Sequence, residues 1–273
     1  GATETPVDLR DCRTGDHRLD AAAVGRGRLI YIEQCESCHT VIKRDAWDRL
    51  NVSNMTSIGK IGTDPTMARN SVNYTGKSGN LSDTYQSTDV GSIVVKEEAP
   101  VVQILTAATA GVVGTADPDK WLPRRAVDWV YALVVTFFDN RIKPSVKAGN
   151  YDPDTTAQPY NSLLSYRARS LNGIWATAPY LHNGSVPSLY DLLLPARRDG
   201  DVDGGRCAKY RPDRFTVGAR EFDPGKVGLK SEGYDGFVFD TTIPGNRNGG
   251  HEYGGCRMSD AERMDLIEYL KSL

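Results

Sequence analysis

Cys35-Glu36-Ser37-Cys38-His39 governs what this chain can be. Two cysteines two residues apart, followed at once by histidine, form the C-x-x-C-H pattern, the attachment site of a c-type haem. The thiols form thioethers with the haem vinyl groups. His39, one step further on, has no slack to sit anywhere but under the iron as the proximal ligand. Two other chemistries use paired cysteines. A thioredoxin-like redox pair wants a βαβ context, and none surrounds residues 35–39. A zinc site wants a second ligand pair at close spacing, and none follows.

Upstream, Leu19 to Gln34 predicts a helix, with Ala21, Ala22, Ala23, Leu29, Ile30 and Ile32 as apolar or helix-forming residues. Gly25 and Gly27 weaken its middle by about 1 kcal/mol each, and a glycine there also lets another helix approach closely. At the far end, Ser259-Asp260-Ala261-Glu262 is a capping box, after which Ala261, Met264, Ile267, Leu270 and Leu273 recur at helical spacing. A helix that enters the haem motif and another that closes the chain resemble the cytochrome c fold, where the first and last helices cross beside the haem.

The chain between them predicts helices at Thr66–Asn70, Val101–Ala110, Pro123–Asn140 and Ser185–Leu194, with Pro187 in the first turn of the last. Asn51–Asn80 reads as mostly polar loop, and Tyr151–Pro159 as a Pro/Asp-rich loop. Arg197–Gly250 is rich in Gly, Asp and Pro, with hairpins expected around Arg214–Val217 and Gly236–Asp240. The expected class is mainly α: a cytochrome c-like haem domain with long loop-rich insertions and a few short strands. A single domain is expected over residues 1–273, with residues 1–17 as an N-terminal extension and 18–273 as the haem domain.

Composition narrows the partners. Lys and Arg number 33 against 35 Asp and Glu, a formal net charge of -2, which argues against a nucleic-acid or anionic-membrane binder working by bulk charge. The most apolar run, Trp129 to Phe138, is about half the ~20 residues of a membrane helix, so no membrane span is expected. The chain opens on Gly1 rather than Met, which predicts a processed or trimmed product whose targeting segment is gone.

Function hinges on the sixth iron ligand. A protein ligand closes the iron and favours electron transfer, whereas an open position permits peroxide or oxygen chemistry. The candidates are His17, His182, His251, Met55, Met67, Met258 and Met264. His17 lies in a charged stretch and reads as solvated, Met264 reads as core, and Met258 as packing. Met55 and Met67 lie where small cytochromes often place a methionine. His251, between Gly249-Gly250 and Gly254-Gly255, can approach a flat macrocycle without steric conflict. His182 lies in a turn that can orient a propionate or a neighbouring group.

Leu171-Asn172-Gly173-Ile174-Trp175-Ala176-Thr177-Ala178-Pro179-Tyr180-Leu181-His182-Asn183-Gly184-Ser185-Val186-Pro187 resembles the hallmark of the dihaem cytochrome c peroxidase superfamily, and most closely its rubber-oxygenase-like dihaem cytochromes. Phe215–Pro224, Gly236–Thr241 and Gly250–Gly254 support the resemblance, which runs from about Gly27 to the C-terminus. It implies correspondence to the C-terminal haem domain, with haem c held by Cys35 and Cys38 and the iron by His39 and a late histidine, His251. The family's oxygen-binding haem belongs to an N-terminal half, and these 273 residues carry one haem motif. What carries over is therefore the electron-transfer haem, one per chain.

Around that haem, Trp175 could pack at the edge and donate to a propionate, or be a buried core residue. Arg124, Arg125 and Arg169 are candidate counter-charges for propionates, with Lys60 and Lys77 behind them. A disulfide between Cys207 and Cys256 would staple a long loop, leaving Cys12 as the odd cysteine. Covalent haem and spare cysteines predict an oxidising compartment, bacterial periplasmic or secreted. The expected function is one-electron transfer through a bis-His haem to a redox partner protein or a second haem domain. The alternative is a haem enzyme acting on peroxide or O2, with His182, Tyr180 or Glu252 as its polar groups.

Overall fold

The computed structural model describes residues 19–43, 45, 50–88, 91–114, 119–138 and 146–273. Cys12, His17 and the expected N-terminal extension lie outside them. The helices are α1 (Ala21–Gln34), α2 (Ile58–Ile61), α3 (Thr66–Asn73), α4 (Val101–Gly114), α5 (Leu122–Phe138), α6 (Leu189–Leu192) and α7 (Asp260–Ser272). The strands are β1 (Val52–Ser57), β2 (Thr75–Lys77), β3 (Tyr85–Thr88), β4 (Gly91–Val94), β5 (Glu98–Pro100), β6 (Val146–Asn150), β7 (Ser165–Ala168), β8 (Arg214–Val217), β9 (Phe222–Asp223), β10 (Gly228–Leu229) and β11 (Phe237–Asp240). Two compact units divide the chain. The first gathers the described parts of 1–42, 58–66 and 168–273, and the second those of 43–57 and 67–167.

The first unit is built on the crossing of α1 and α7. Asp20 caps α1, its carboxylate accepting from the Ala22 and Ala23 amides at 2.8 and 3.2 Å. α7 starts from a complete capping box between Ser259 and Glu262. The close approach expected of a glycine falls at Gly27 alone of the pair. A Cβ built there would lie 1.9 Å from the Asp265 carbonyl oxygen, whereas one on Gly25 would meet nothing within 4 Å. Tyr31 and Tyr269 meet across the crossing with ring centroids 5.1 Å apart and planes tilted by 57°, and Arg26 grips Asp265 with two hydrogen bonds of 2.7 Å. Tyr31, Trp175, Tyr180, Val186, Leu189, Val227, Leu266, Ile267 and Leu270 form one buried core. Met264, expected in that core, is 41% exposed. The buried stripe of α7 runs through Arg263, Leu266, Ile267, Leu270 and Leu273, and Met264 turns out of it.

The two segments around which hairpins are expected each supply one strand, and the two strands pair with each other. β8 and β11 run antiparallel, Phe237 opposite Val217, and Phe215 stacks on Phe239 at 5.2 Å. β9 and β10 form a second short pair. The helix expected over Ser185–Leu194 shrinks to α6, because Ser188 ends the preceding extended chain and caps the helix on the Asp191 amide at 3.1 Å.

The second unit carries a three-stranded sheet in the order β6-β1-β7 and two antiparallel pairs, β2 with β5 and β3 with β4. β1 and β6 are parallel, Val52 opposite Val146. Gly149 makes this possible: at φ 103° a side chain there would lie 2.6 Å from the Met55 carbonyl. α3, α4 and α5 fall on three of the internal stretches expected to be helical. Leu122, Trp129, Tyr131 and Leu133 of α5 are all more than half exposed. No helix among the described residues is long and apolar enough to cross a membrane.

The strands correct the expectation of a mainly α chain. Of the described residues 35% are helical and 19% lie in strands, spread over several small sheets. The polar loop expected over Asn51–Asn80 contains β1, α2, α3 and β2. Sequences such as VSNMTS and VKAGN are short and polar, and their pairing partners lie far along the chain, so neither alternation nor a local turn announces them.

Candidate haem site

The C-x-x-C-H segment continues the last turn of α1. The amides of Cys35 and Glu36 return to the Tyr31 carbonyl, and the His39 amide to the Cys35 carbonyl at 2.9 Å. The fully buried Tyr31 closes the turn from inside, its hydroxyl donating to the His39 carbonyl. Cys35 and Cys38 do not form a disulfide. Burial, with Cys38 adding to it, pushes the Cys35 thiol up to about 12, unlike the lowered thiol of a redox pair. Among the described residues no group of three or more His, Cys, Asp and Glu side chains could hold a metal ion.

His39 donates from Nδ1 to the Arg169 carbonyl at 2.6 Å, which leaves Nε2 as its ligand atom. Burial lowers its pKa, and this hydrogen bond opposes the shift. The His251 ring lies opposite, with centroids 6.2 Å apart and planes inclined by 36°. Metal–imidazole bonds of about 2 Å on each side, with about 1 Å from each nitrogen to its ring centre, span about 6 Å. The ring pair therefore has the spacing of two axial ligands. His251 Nδ1 and Trp175 Nε1 are both buried without a hydrogen-bond partner, polar atoms that a haem and its propionates would explain. The residues fit the group.

The His251 pKa is depressed to about 4, first by burial and then by His39, Arg211 and His182. His182 thus belongs to the same electrostatic neighbourhood. Burial lowers its own pKa, and Asp64 pulls it back. Tyr253 meets the His251 ring edge-on at 5.8 Å. Its pKa is raised by burial and by Cys38 and Cys35, so it stands beside the thiols as well.

His251 has φ 55° and follows Gly250 at φ 81°, two successive left-handed residues. Gly250 is needed there because a side chain would lie 2.5 Å from the Thr63 amide. The loop before it is held from three sides. The buried Asp64 carboxylate accepts from the Gly245 and Arg247 amides at 2.7 and 3.1 Å. Burial works against ionising Asp64, but hydrogen bonds from Thr66, Arg247 and Gly245 hold its pKa below the usual value. Asn183 donates to the Gly245 and Arg247 carbonyls, both at 3.0 Å, and Ser185 to the Arg247 carbonyl at 3.2 Å. The third anchor is Arg211, fully buried, whose guanidinium donates to the carbonyls of Leu192, Asn248, Gly250 and His251. Burial lowers its pKa to about 10, with Glu252 and Asp191 opposing, so it is cationic at neutral pH. The expected Cys207–Cys256 disulfide is present, and it ties the segment bearing Arg211 to the one bearing His251.

Residues 165–200 match the family described as RoxA-like, cytochrome c-like. The matched stretch holds Arg169, Trp175, His182 and Asn183. The match supports a c-type cytochrome of RoxA-like kind, and a cytochrome c-like domain implies covalently bound haem c. The chain is also similar to two proteins of Sinorhizobium fredii. The uncharacterized protein y4iJ is 31% identical over 93% of this chain and 39% of its own length. The uncharacterized protein y4iM is 35% identical over 48% of this chain and 32% of its own length. The chain thus spans well under half the length of the curated relatives it matches.

The remaining candidates have other places. Trp175 is a core residue that also carries an unpartnered N–H. Arg124 lies in the second unit, exposed and paired with Asp128 at 3.0 Å. Met55 and Met67, expected in loops, lie in that unit's β1, buried, and α3, exposed. Met258 packs on the first unit's core. Tyr180 spends its hydroxyl on the Ile174 and Val227 carbonyls, at 3.3 and 3.1 Å. Glu252 faces Arg198 at 3.9 Å. Arg169 contributes its carbonyl to His39, not the guanidinium expected to matter. Sequence reasoning missed Asp64 and Arg211, since nothing local marks a charged side chain for burial, and Tyr253, whose place is set by its contact with His251.

Proposed function

We propose that this chain is a c-type cytochrome that moves single electrons through one covalently attached haem c. The observation that carries the reading is the opposed pair of His39 and His251 rings at 6.2 Å. Cys35 and Cys38 would hold the haem as thioethers, and His39 and His251 would ligate its iron. The bound haem supplies a one-electron Fe(III)/Fe(II) couple. The protein's part is to keep both iron faces closed. Arg169 fixes the His39 tautomer through its carbonyl, and the glycine-flanked loop brings His251 to the opposite face. Trp175, whose buried N–H lacks a partner, would be available to donate to a haem carboxylate, and the surrounding core would exclude water.

The electron's other station is a redox partner protein or a second haem domain. The resemblance to dihaem cytochromes and the greater length of the relatives support the second. The Cys207–Cys256 disulfide supports a compartment outside the cytoplasm. The test is the absorption spectrum of the reduced protein with and without CO, for the parent and for His251→Ala. The expected result is a parent spectrum unchanged by CO and a variant that binds it. A parent that binds CO readily, or a variant that stays six-coordinate, overturns the assignment and moves peroxide or O2 chemistry to the front.

A further inference from the structure

We infer that Arg211 is the positioning residue for the sixth ligand: it locks the loop through Asn248–His251 so that His251 faces His39, and it sets a fixed positive charge beside the haem. The inference rests on the bis-His reading above.

Three observations carry it. First, the loop's other side-chain anchors stop short of the histidine. Asp64, Asn183 and Ser185 hold residues 245–247, and Asn248 fixes itself to the Pro212 carbonyl at 3.0 Å. Arg211 reaches past them to the Gly250 carbonyl at 2.7 Å and the His251 carbonyl at 3.2 Å. Second, Gly250 and His251 are both left-handed, a conformation that a non-glycine residue keeps only where its surroundings impose it. Third, Arg211 is a buried cation that forms no ion pair with a carboxylate among the described residues. Glu252 and Asp191 are the acidic groups that act on it. Its guanidinium hydrogen bonds go to main-chain carbonyls, one of them to His251 itself. A buried charge spent on carbonyls is costly to maintain, and a planar guanidinium is the one side chain that can span four of them.

The charge has a consequence that packing alone lacks. A cation beside the iron disfavours the ferric state, which carries the extra positive charge, and so raises the reduction potential.

The test compares Arg211→Gln, which loses charge and fork, Arg211→Lys, which keeps the charge alone, and His251→Ala, all as haem-loaded protein. Far-UV circular dichroism selects the variants that fold. Both Arg211 variants should bind CO in the ferrous state where the parent does not, because Lys cannot reach all the carbonyls. In a His251→Ala background with imidazole saturating the open sixth position, adding Arg211→Gln should lower the midpoint potential and adding Arg211→Lys should leave it unchanged. If one Arg211 variant does not fold, the other decides. A folded Arg211 variant that stays closed to CO while His251→Ala opens overturns the inference and spares the bis-His reading. So does an Arg211→Gln, His251→Ala midpoint equal to that of His251→Ala under imidazole. A closed His251→Ala overturns both.

Discussion

Two glycines two residues apart on α1 should respond to alanine with opposite signs. At Gly27 the added Cβ would lie 1.9 Å from the Asp265 carbonyl oxygen, 2.5 Å from its carbon and 2.9 Å from the Tyr269 Cβ, whereas ordinary contact begins at 3.4 Å. The obstacle is backbone, so no side chain can swing aside, and the two helices must part by about 1.5 Å, which sets the cost near the upper end of overpacking, about 3 kcal/mol. Removing a glycine from a helix interior returns about 1 kcal/mol, leaving a net loss of about 2 kcal/mol. At Gly25 nothing lies within 4 Å, so the same substitution yields only the gain of about 0.5–1 kcal/mol. For a domain of this size each kcal/mol moves the midpoint by about 2–4 °C. Thermal unfolding followed by far-UV circular dichroism should show Gly27→Ala melting about 4–8 °C below the parent and Gly25→Ala about 2–3 °C above it. A Gly27→Ala protein that melts with or above Gly25→Ala would refute the close crossing of α1 and α7.

Replacing Cys207 and Cys256 by Ser frees a loop closed over a 49-residue separation and should cost about 4 kcal/mol in a guanidinium titration, an effect that dithiothreitol should reproduce on the parent. Asp64→Ala strips the Gly245 and Arg247 amides of their acceptor, at a cost of about 1–3 kcal/mol. Because the Asp64 pKa lies below 3.8, its contribution should be present above that pH and fade as pH falls through the lower folded value. A parallel offset between parent and variant down to the acid limb would contradict this. His251 refuses a proton until about pH 4 when folded and accepts one near 6.5 when unfolded. Stability of the haem-free chain should therefore decline as pH drops from about 6.5 to about 4, and His251→Gln should flatten that limb in urea titrations across pH.

Much of the first unit is written locally. Asp20, the capping box at Ser259 and the C-x-x-C-H spacing each announce themselves within five residues, because caps and covalent attachment depend on neighbours in sequence. His251 is legible for a similar reason, standing between glycine pairs that only a close approach requires. The braces of its loop are not. Asp64 and Arg211 look like any surface charge until the chain brings Gly245, Arg247 and Gly250 to them. The polar β1 and β6 fail for the same cause, since each acquires meaning only from the other, far along the chain. Met264 shows a subtler limit: its spacing fits a helical stripe, but which stripe is buried depends on where Gly27 admits the neighbouring helix.

The crossing of α1 and α7 also sets an order of events. The two helices lie more than 200 residues apart in the chain, so Tyr31 has no Tyr269, and Gly27 no Asp265, until synthesis has passed the last helix. The cysteines at 35 and 38 emerge more than 200 residues before the histidine at 251 and the helix that closes the core. A chain caught before residue 251 has emerged therefore carries both thiols in an unclosed core, and the partner histidine arrives with the same segment that shuts it. Contacts of such long range also make folding slow.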